Sequence, residues 1–388
     1  MGRYRGGRKS WEQADDAGRK LDSRQFPELN AVFYTARPSE FISMRVIALS
    51  LLACDDSQLE PAFGADRVIG NVTFPAAAVP GEKERLRYIQ TEAMMIVHHA
   101  SEALLRLFFA HVDHPECPWL GMADERGANQ FKDRLGEATK AGFDAGEIAR
   151  VFLGGESSTD SELDMTAEEF DAAVEGVDRL LWDCALRVID DSFLYNGGKH
   201  GLTSIEVADE SARFEWKQGT KQLTLHMGAV HAYLHKLRNP TATKNERTWF
   251  FSMMDSNPQR DLAVARFAAS AIGSLWAVAR RQYLGTPGSI LCFSRESVEL
   301  AIHSPVTESR YVMKRFGMEL PKLKPDGEVD GTEIDIEAYN VPEEWEPTED
   351  VGLKSRRVTL PVRQRDKKIY STSSKAYLPI VPKGFQQG

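Results

Sequence analysis

Paired cysteines, long apolar runs and a surplus of basic charge are all missing from this chain. Its four cysteines, Cys54, Cys117, Cys184 and Cys292, lie far apart, and none belongs to a Cys-x-x-Cys pair. That spacing excludes a disulfide framework and predicts reduced thiols in a cytoplasmic setting. No uninterrupted apolar stretch reaches the roughly 18 residues that a membrane-crossing helix needs, so no transmembrane segment and no membrane partner are expected. The N-terminal MGRYRGGRKSWEQ is basic, but no apolar core follows it, which predicts no secretory signal. With 48 Lys+Arg against 57 Asp+Glu, the formal net charge is -9. That balance excludes coating of nucleic acid or anionic membrane by bulk charge and leaves only a local basic site. The Gly-x-Ser-x-Gly, His-Glu-x-x-His and Gly-x-Gly-x-x-Gly fingerprints are absent, and there is no internal repeat.

What is present fits a globular chain. Of 388 residues, 42% are hydrophobic and 27% charged, enough for more than one core. Residues 1–37 read as a flexible N-terminal segment rich in Gly and Arg near its start. Pro38 to Asp55 reads as a helix, and RVIGNVTF as a short strand. The strongest helix runs from about Glu82 to Val112, with Leu86, Ile89, Ala93, Ile96, Val97, Ala100, Leu104, Leu107 and Phe108 at spacings of three and four. It stops before Pro115. Shorter helices follow. Thr166 and Glu169 then form a capping box, and a second long helix extends to Leu194.

These signals predict a mainly α fold with a smaller α+β part. Residues 38–202 form an α-helical bundle of two long antiparallel helices plus shorter helices. Residues 203–324 form hairpins packed on a helix that starts near Asn257 and ends at Gly285. Residues 325–388 read as an extended charged tail, acidic from Pro325 to Val351 and basic from Gly352 onward.

The first long helix is rich in reactive side chains. Glu92, His99 and Arg106 are seven residues apart and share a stripe, while His98 and Glu102, four apart, can pair. Burying such groups costs free energy unless they are partnered, so the face is a polar seam, an interface or a functional surface. Arg106 and His111 form Arg-x4-His; on a helix they are offset by about 140° and would converge most readily across a dimer. In these residues the chain resembles the HEPN superfamily of helical bundles, over about residues 82–202. The resemblance implies a homodimeric, metal-independent ribonuclease of a toxin or defence system, needing no cofactor. Arg106 would hold the phosphate, and His111 would act as general acid or base on RNA.

A second segment, LYNGGKHG, closes the second long helix. Gly197 or Gly198 fits the left-handed position after a helix, which would leave Lys199 and His200 near the negative end of its dipole. The alternative is that Asn196, Lys199 and His200 line a pocket beside the first helix, supported by His98, His99 and Glu102. The segment is not a phosphate loop, because Phe193 and His200 stand where that motif needs Gly and Ser or Thr. His111, His114 and Cys117 are spaced as three zinc ligands without an evident fourth. His231 and His235, with His226 nearby, read as helical surface residues.

The leading expectation is therefore a HEPN-like protein acting on RNA. Its rival is a non-enzymatic scaffold that assembles through the bundle, with a protein partner at the charged tail. Leu107, where the family usually has a polar residue, and the acidic bulk charge favour the rival. A small-molecule pocket between the two long helices is the third reading.

Overall fold

The computed structural model describes residues 21–123, 127–199, 204–208, 212–218, 221–227, 229–238, 247–303, 311–320, 334–341 and 354–366. A 3-10 turn, Ser23–Gln25, leads into α1 (Phe26–Phe33), α2 (Pro38–Leu52) and α3 (Asp56–Phe63). A small hairpin, β1 (Arg67–Ile69) and β2 (Val72–Phe74), precedes α4 (Glu82–Asp113). Then come α5 (Pro118–Ala123), α6 (Ala128–Ala141), α7 (Ala145–Ile148), a π-helical turn (Ala149–Leu153) and α8 (Ser158–Ser161). The second long helix, α9 (Ala167–Asp190), is followed by α10 (Ser192–Lys199). Strands β3 (Ser204–Ala208), β4 (Ala212–Gln218), β5 (Lys221–Met227), β6 (Ala229–Arg238) and β7 (Arg247–Ser256) lead to α11 (Pro258–Leu284). The chain finishes with β8 (Gly288–Cys292), α12 (Arg295–His303), β9 (Tyr311–Glu319), β10 (Ile334–Asn340) and β11 (Arg356–Leu360).

The fold is mainly α with a smaller β part, as the periodicity predicts. The Thr166 hydroxyl accepts from the Glu169 backbone N–H, while the Glu169 carboxylate accepts from the Thr166 N–H, so the capping box starts α9. One large core joins α4, α9 and α11 through residues such as Ile96, Leu104, Phe108, Leu180, Leu181, Ile272 and Leu275. Each such side chain contributes roughly 1.5–3 kcal/mol by leaving water.

Three expectations about organisation change. Helix α11 falls in the segment read as the α+β unit, yet it packs on α2 and α4 inside the helical body. By length and composition it is long and apolar enough to cross a membrane, but 67% of its most apolar window is buried in that body. A helix apolar nearly all round needs cover on every side, and the bundle supplies it. The supposed flexible segment also holds α1, after which Tyr34 stacks on Tyr283 and packs edge-on to Trp276. Residues 1–20 lie outside the described residues.

The β part is a seven-stranded sheet in the order β3-β6-β7-β9-β5-β4, with β10 paired to β9. Its pairings are antiparallel except the short β5–β9 contact. Parts of the charged tail are therefore folded. Asp335 and Glu337 on β10 pair with Arg315 and Lys314 on β9, and β11 pairs with β8. Residues 325–333, 342–353 and 367–388 of the tail lie outside the described residues. Helix α10 packs on α4 on one side and on β3 and β6 on the other, so it links bundle to sheet.

Candidate functional site

The Arg-x4-His pair divides as its angular offset requires. The Arg106 Nε donates to Glu102 at 2.8 Å, and its guanidinium lies 4.3 Å from the Phe131 ring centre. His111 turns the other way, into the core. Its Nδ1 lies 2.7 Å from the Leu107 carbonyl, which can only accept. Nδ1 therefore carries the proton, and Nε2 accepts from the Tyr34 hydroxyl at 2.8 Å. Burial holds the imidazole down to about 4, so it is neutral near pH 7. Neither ring nitrogen is free to exchange a proton with a substrate in this conformation. The cavity beside Arg106, bounded also by Asp113, His114 and Arg134, is about 40 Å³. It is far smaller than the 300–1,000 Å³ or so typical of ligand pockets.

The other predicted residues gather in two places. His98 does not hydrogen-bond Glu102, which is turned to Arg106; its ring stacks on Tyr195 at 4.0 Å. His99 accepts at Nδ1 from Arg45 of α2 at 3.2 Å, and the same guanidinium reaches Glu92 at 3.2 Å. Glu92 and His99 are thus joined by Arg45, and Arg106 is not part of that group.

Gly197 and Gly198 of LYNGGKHG do not stop a helix: both are inside α10, and neither has a positive φ, while Gly201 lies outside the described residues. A side chain at Gly198 would meet the Met95 sulfur at 2.9 Å, so glycine lets α10 lie close on α4. The segment therefore abuts Met94, Met95 and His98, about two turns from Arg106. Asn196 is exposed, and the Lys199 ammonium lies 5.6 Å from the Tyr195 ring centre. His200 is outside the described residues.

His231 and His235 lie on β6, not on a helix, and both are buried. His231 meets Thr91 of α4 at 3.3 Å, and His235 meets Ser252 at 2.9 Å. His226 is on β5; its side chain lies outside the description. Among the described residues no three His, Cys, Asp or Glu side chains gather as metal ligands would.

A different place has the dimensions of a site. Between α4, α9 and α10 on one side and β7, β9 and β10 on the other is a cavity of about 430 Å³. The start of α11 and the end of α12 complete its wall. Met94, Leu186, Leu194, Met254 and Ile302 form apolar parts of the lining. The rest is charged. Arg187 bonds Asp183 at 2.7 Å and Asp261 at 2.8 Å, and Arg260 pairs with Asp255 at 3.2 Å. Lys314 pairs with Asp190 at 2.8 Å and Glu337 at 3.2 Å. Arg179 reaches Glu299 at 3.4 Å and lies over Trp182.

Four residues of the lining also carry a side-chain atom that is wholly buried, away from the cavity space, with no hydrogen-bond partner among the described residues: His98 Nδ1, Arg179 Nη1, Asp191 Oδ1 and Ser256 Oγ. His98 is 4% exposed and Ser256 3%. Burial lowers His98 to about 4 and raises Asp191 to about 6, against the attraction of Lys314 and Arg187. A carboxyl group near neutrality in a cavity is a mark of functional sites.

Of these, only His98 is among the candidates that the sequence offers. One signal was readable: Arg179, Asp183 and Arg187 recur every four residues along the second long helix, and Asp190-Asp191 ends it. Ser256 and Lys314 carry no local signal, because strands from distant parts of the chain bring them in. Compared with known protein families, curated proteins and solved structures, the chain has no match.

Proposed function

We propose that this chain binds a small polar organic molecule in the cavity between bundle and sheet. One observation carries the reading: a cavity of about 430 Å³ has apolar side chains, Met94, Leu186, Leu194, Met254 and Ile302, beside six carboxylates and four cations. The size is ordinary for a metabolite, and junctions between structural units are where such pockets concentrate. A ligand that binds only the folded state raises its melting temperature. The test is a thermal-shift panel of amines, carboxylic acids, alcohols and phosphates on the wild type and on Ser256→Leu, which fills the cavity. At least one class should stabilise the wild type and not the variant. Equal responses in both proteins, or none in either, would count against the cavity.

RNA cleavage at Arg106 and His111 receives no support from this geometry, because His111 would first have to leave Tyr34 and Leu107. Assembly does have an observation in its favour. Helix α2 buries Ile42 and Leu49 yet also exposes Phe41, Met44, Ile47 and Leu51 along its outer side. The occupant we favour is a second copy of the chain, since an antiparallel pairing of this helix with itself sets apolar residues against apolar residues along its length. Met44→Glu should then lower the mass measured in solution to that of a monomer. A wild type already monomeric at micromolar concentration would remove this reading.

A further inference from the structure

The charges around the cavity do not cancel one by one. Each of its four cations, Arg179, Arg187, Arg260 and Lys314, already has a carboxylate within 4.0 Å. Five of its six carboxylates are likewise committed to a cation. The exception is Asp191, at the junction of α9 and α10, which has no direct ion pair among the described residues. Six carboxylates thus stand against four cations on the lining, and Asp191, in the field of Lys314 and Arg187 but without a direct pair, is the one left to accept from a ligand. Apolar side chains stand close by, since Met94, Leu194 and Met254 form one cluster and all three line the same space. Methionine side chains adapt to ligands of varied shape.

We infer that the cavity recognises a primary amine on an apolar body, with the ammonium donating to Asp191 and the hydrocarbon against Met94, Leu194 and Met254. This rests on the cavity being the binding site and goes further in naming the ligand's chemistry. An ammonium supplies both the charge and the N–H donors that Asp191 lacks, and a charge-assisted hydrogen bond of this kind is about twice as strong as a neutral one. A carboxylate or phosphate in the same place would meet Asp191 as a like charge, with every neighbouring cation already engaged. A neutral alcohol could donate one hydrogen bond but would bring no charge.

Three probes of matched length separate these cases: n-hexylammonium, 1-hexanol and hexanoate, titrated calorimetrically at pH 8 into the wild type, Asp191→Asn and Ser256→Leu. The amine should bind the wild type at least about tenfold more tightly than either other probe, and Asp191→Asn should lose about tenfold or more in amine affinity, roughly 1.4 kcal/mol. Asparagine keeps the shape of the side chain, and an unfolding midpoint no lower than that of the wild type would show that the loss is not misfolding. Hexanol or hexanoate binding as tightly as the amine overturns the inference, and so does amine binding that survives Asp191→Asn. If hexanoate binds and Ser256→Leu abolishes it, the cavity stands as a site while its amine preference falls. If no probe binds the wild type, the amine inference fails outright.

Discussion

At the scale of single residues, two buried titratable groups make opposite predictions. His111 is neutral in the fold, held down to about 4 from an ordinary value of 6.5. Its stabilising effect is therefore complete above pH 6.5 and is lost as pH falls toward 4, because the unfolded chain takes up the proton first. His111→Ala also leaves the Tyr34 hydroxyl and the Leu107 carbonyl without their partner, and should cost about 2–4 kcal/mol in denaturant unfolding at pH 7. A variant with unchanged stability would show that the histidine is not the core residue its contacts describe. Asp191 runs the other way. Burial raises it from 3.8 to about 6, against the nearby cations Lys314 and Arg187 and with the acids Asp190 and Asp261. The cost of its charge is absent below pH 3.8 and complete above pH 6, so Asp191→Asn should stabilise the empty protein at pH 8 by on the order of 2 kcal/mol and leave it unchanged below pH 3.8. Unfolding midpoints at the two pH values decide it. The sequence pointed to Arg106 and His111 because a motif records spacing along a helix. It does not record which side of that helix the core will claim.

At the scale of elements, local periodicity served the helices well. α4 lies where spacings of three and four put it, and the Thr166–Glu169 box begins α9, but α9 stops at Asp190 and not at Leu194, which belongs to α10. Glu169 does more than cap: its second carboxylate oxygen pairs with Arg356 of β11. Thr166→Ala should cost about 1 kcal/mol in thermal or denaturant unfolding, the ordinary value of a lost N-cap. A cost near zero would mean that Glu169 and Arg356 hold the helix start without the hydroxyl. What periodicity could not supply was the company each element keeps. Helix α11 looks like the partner of a sheet when read between strands, and only its apolar circumference hints that it belongs in a bundle. β10 and β11 lie in stretches dominated by charge. Their pairings with β9 and β8 are made with residues far away in the sequence or separated by a long connection, so the charges read as solvation when several are ion pairs.

At the scale of the whole molecule, one buried network ties the final described segment to the helical body. Arg281 of α11 is 0% exposed, and its guanidinium donates to the carbonyls of Gly154 at 2.9 Å and Ser161 at 2.7 Å. Gly154 closes the π-helical turn with a φ of 83°, and a Cβ there would lie 2.1 Å from the Arg281 Nη2, so backbone conformation and close approach both demand glycine. Asp366, from the segment after β11, sits 3.7 Å from the Arg281 Nε and takes a two-pronged contact from Arg363 at 2.9 Å. Arg363 in turn donates to the Gly154 carbonyl at 2.6 Å. Burial lowers Arg281 to about 10, still charged near neutrality, so its environment has to supply compensation. Asp366 is the carboxylate nearest both arginines, and Asp366→Ala leaves two buried cations short of one. Removing one partner from such a group costs about 3–5 kcal/mol, well beyond what an exposed ion pair contributes. The variant should unfold at lower denaturant concentration, and its C-terminal segment should be cut faster by protease than that of the wild type. Replacing the exposed Arg365, which pairs with Asp160, is the matched control and should cost less than about 1 kcal/mol. If the two variants lose the same small amount, β11 pairing with β8 holds the segment in place and the buried arginines do not.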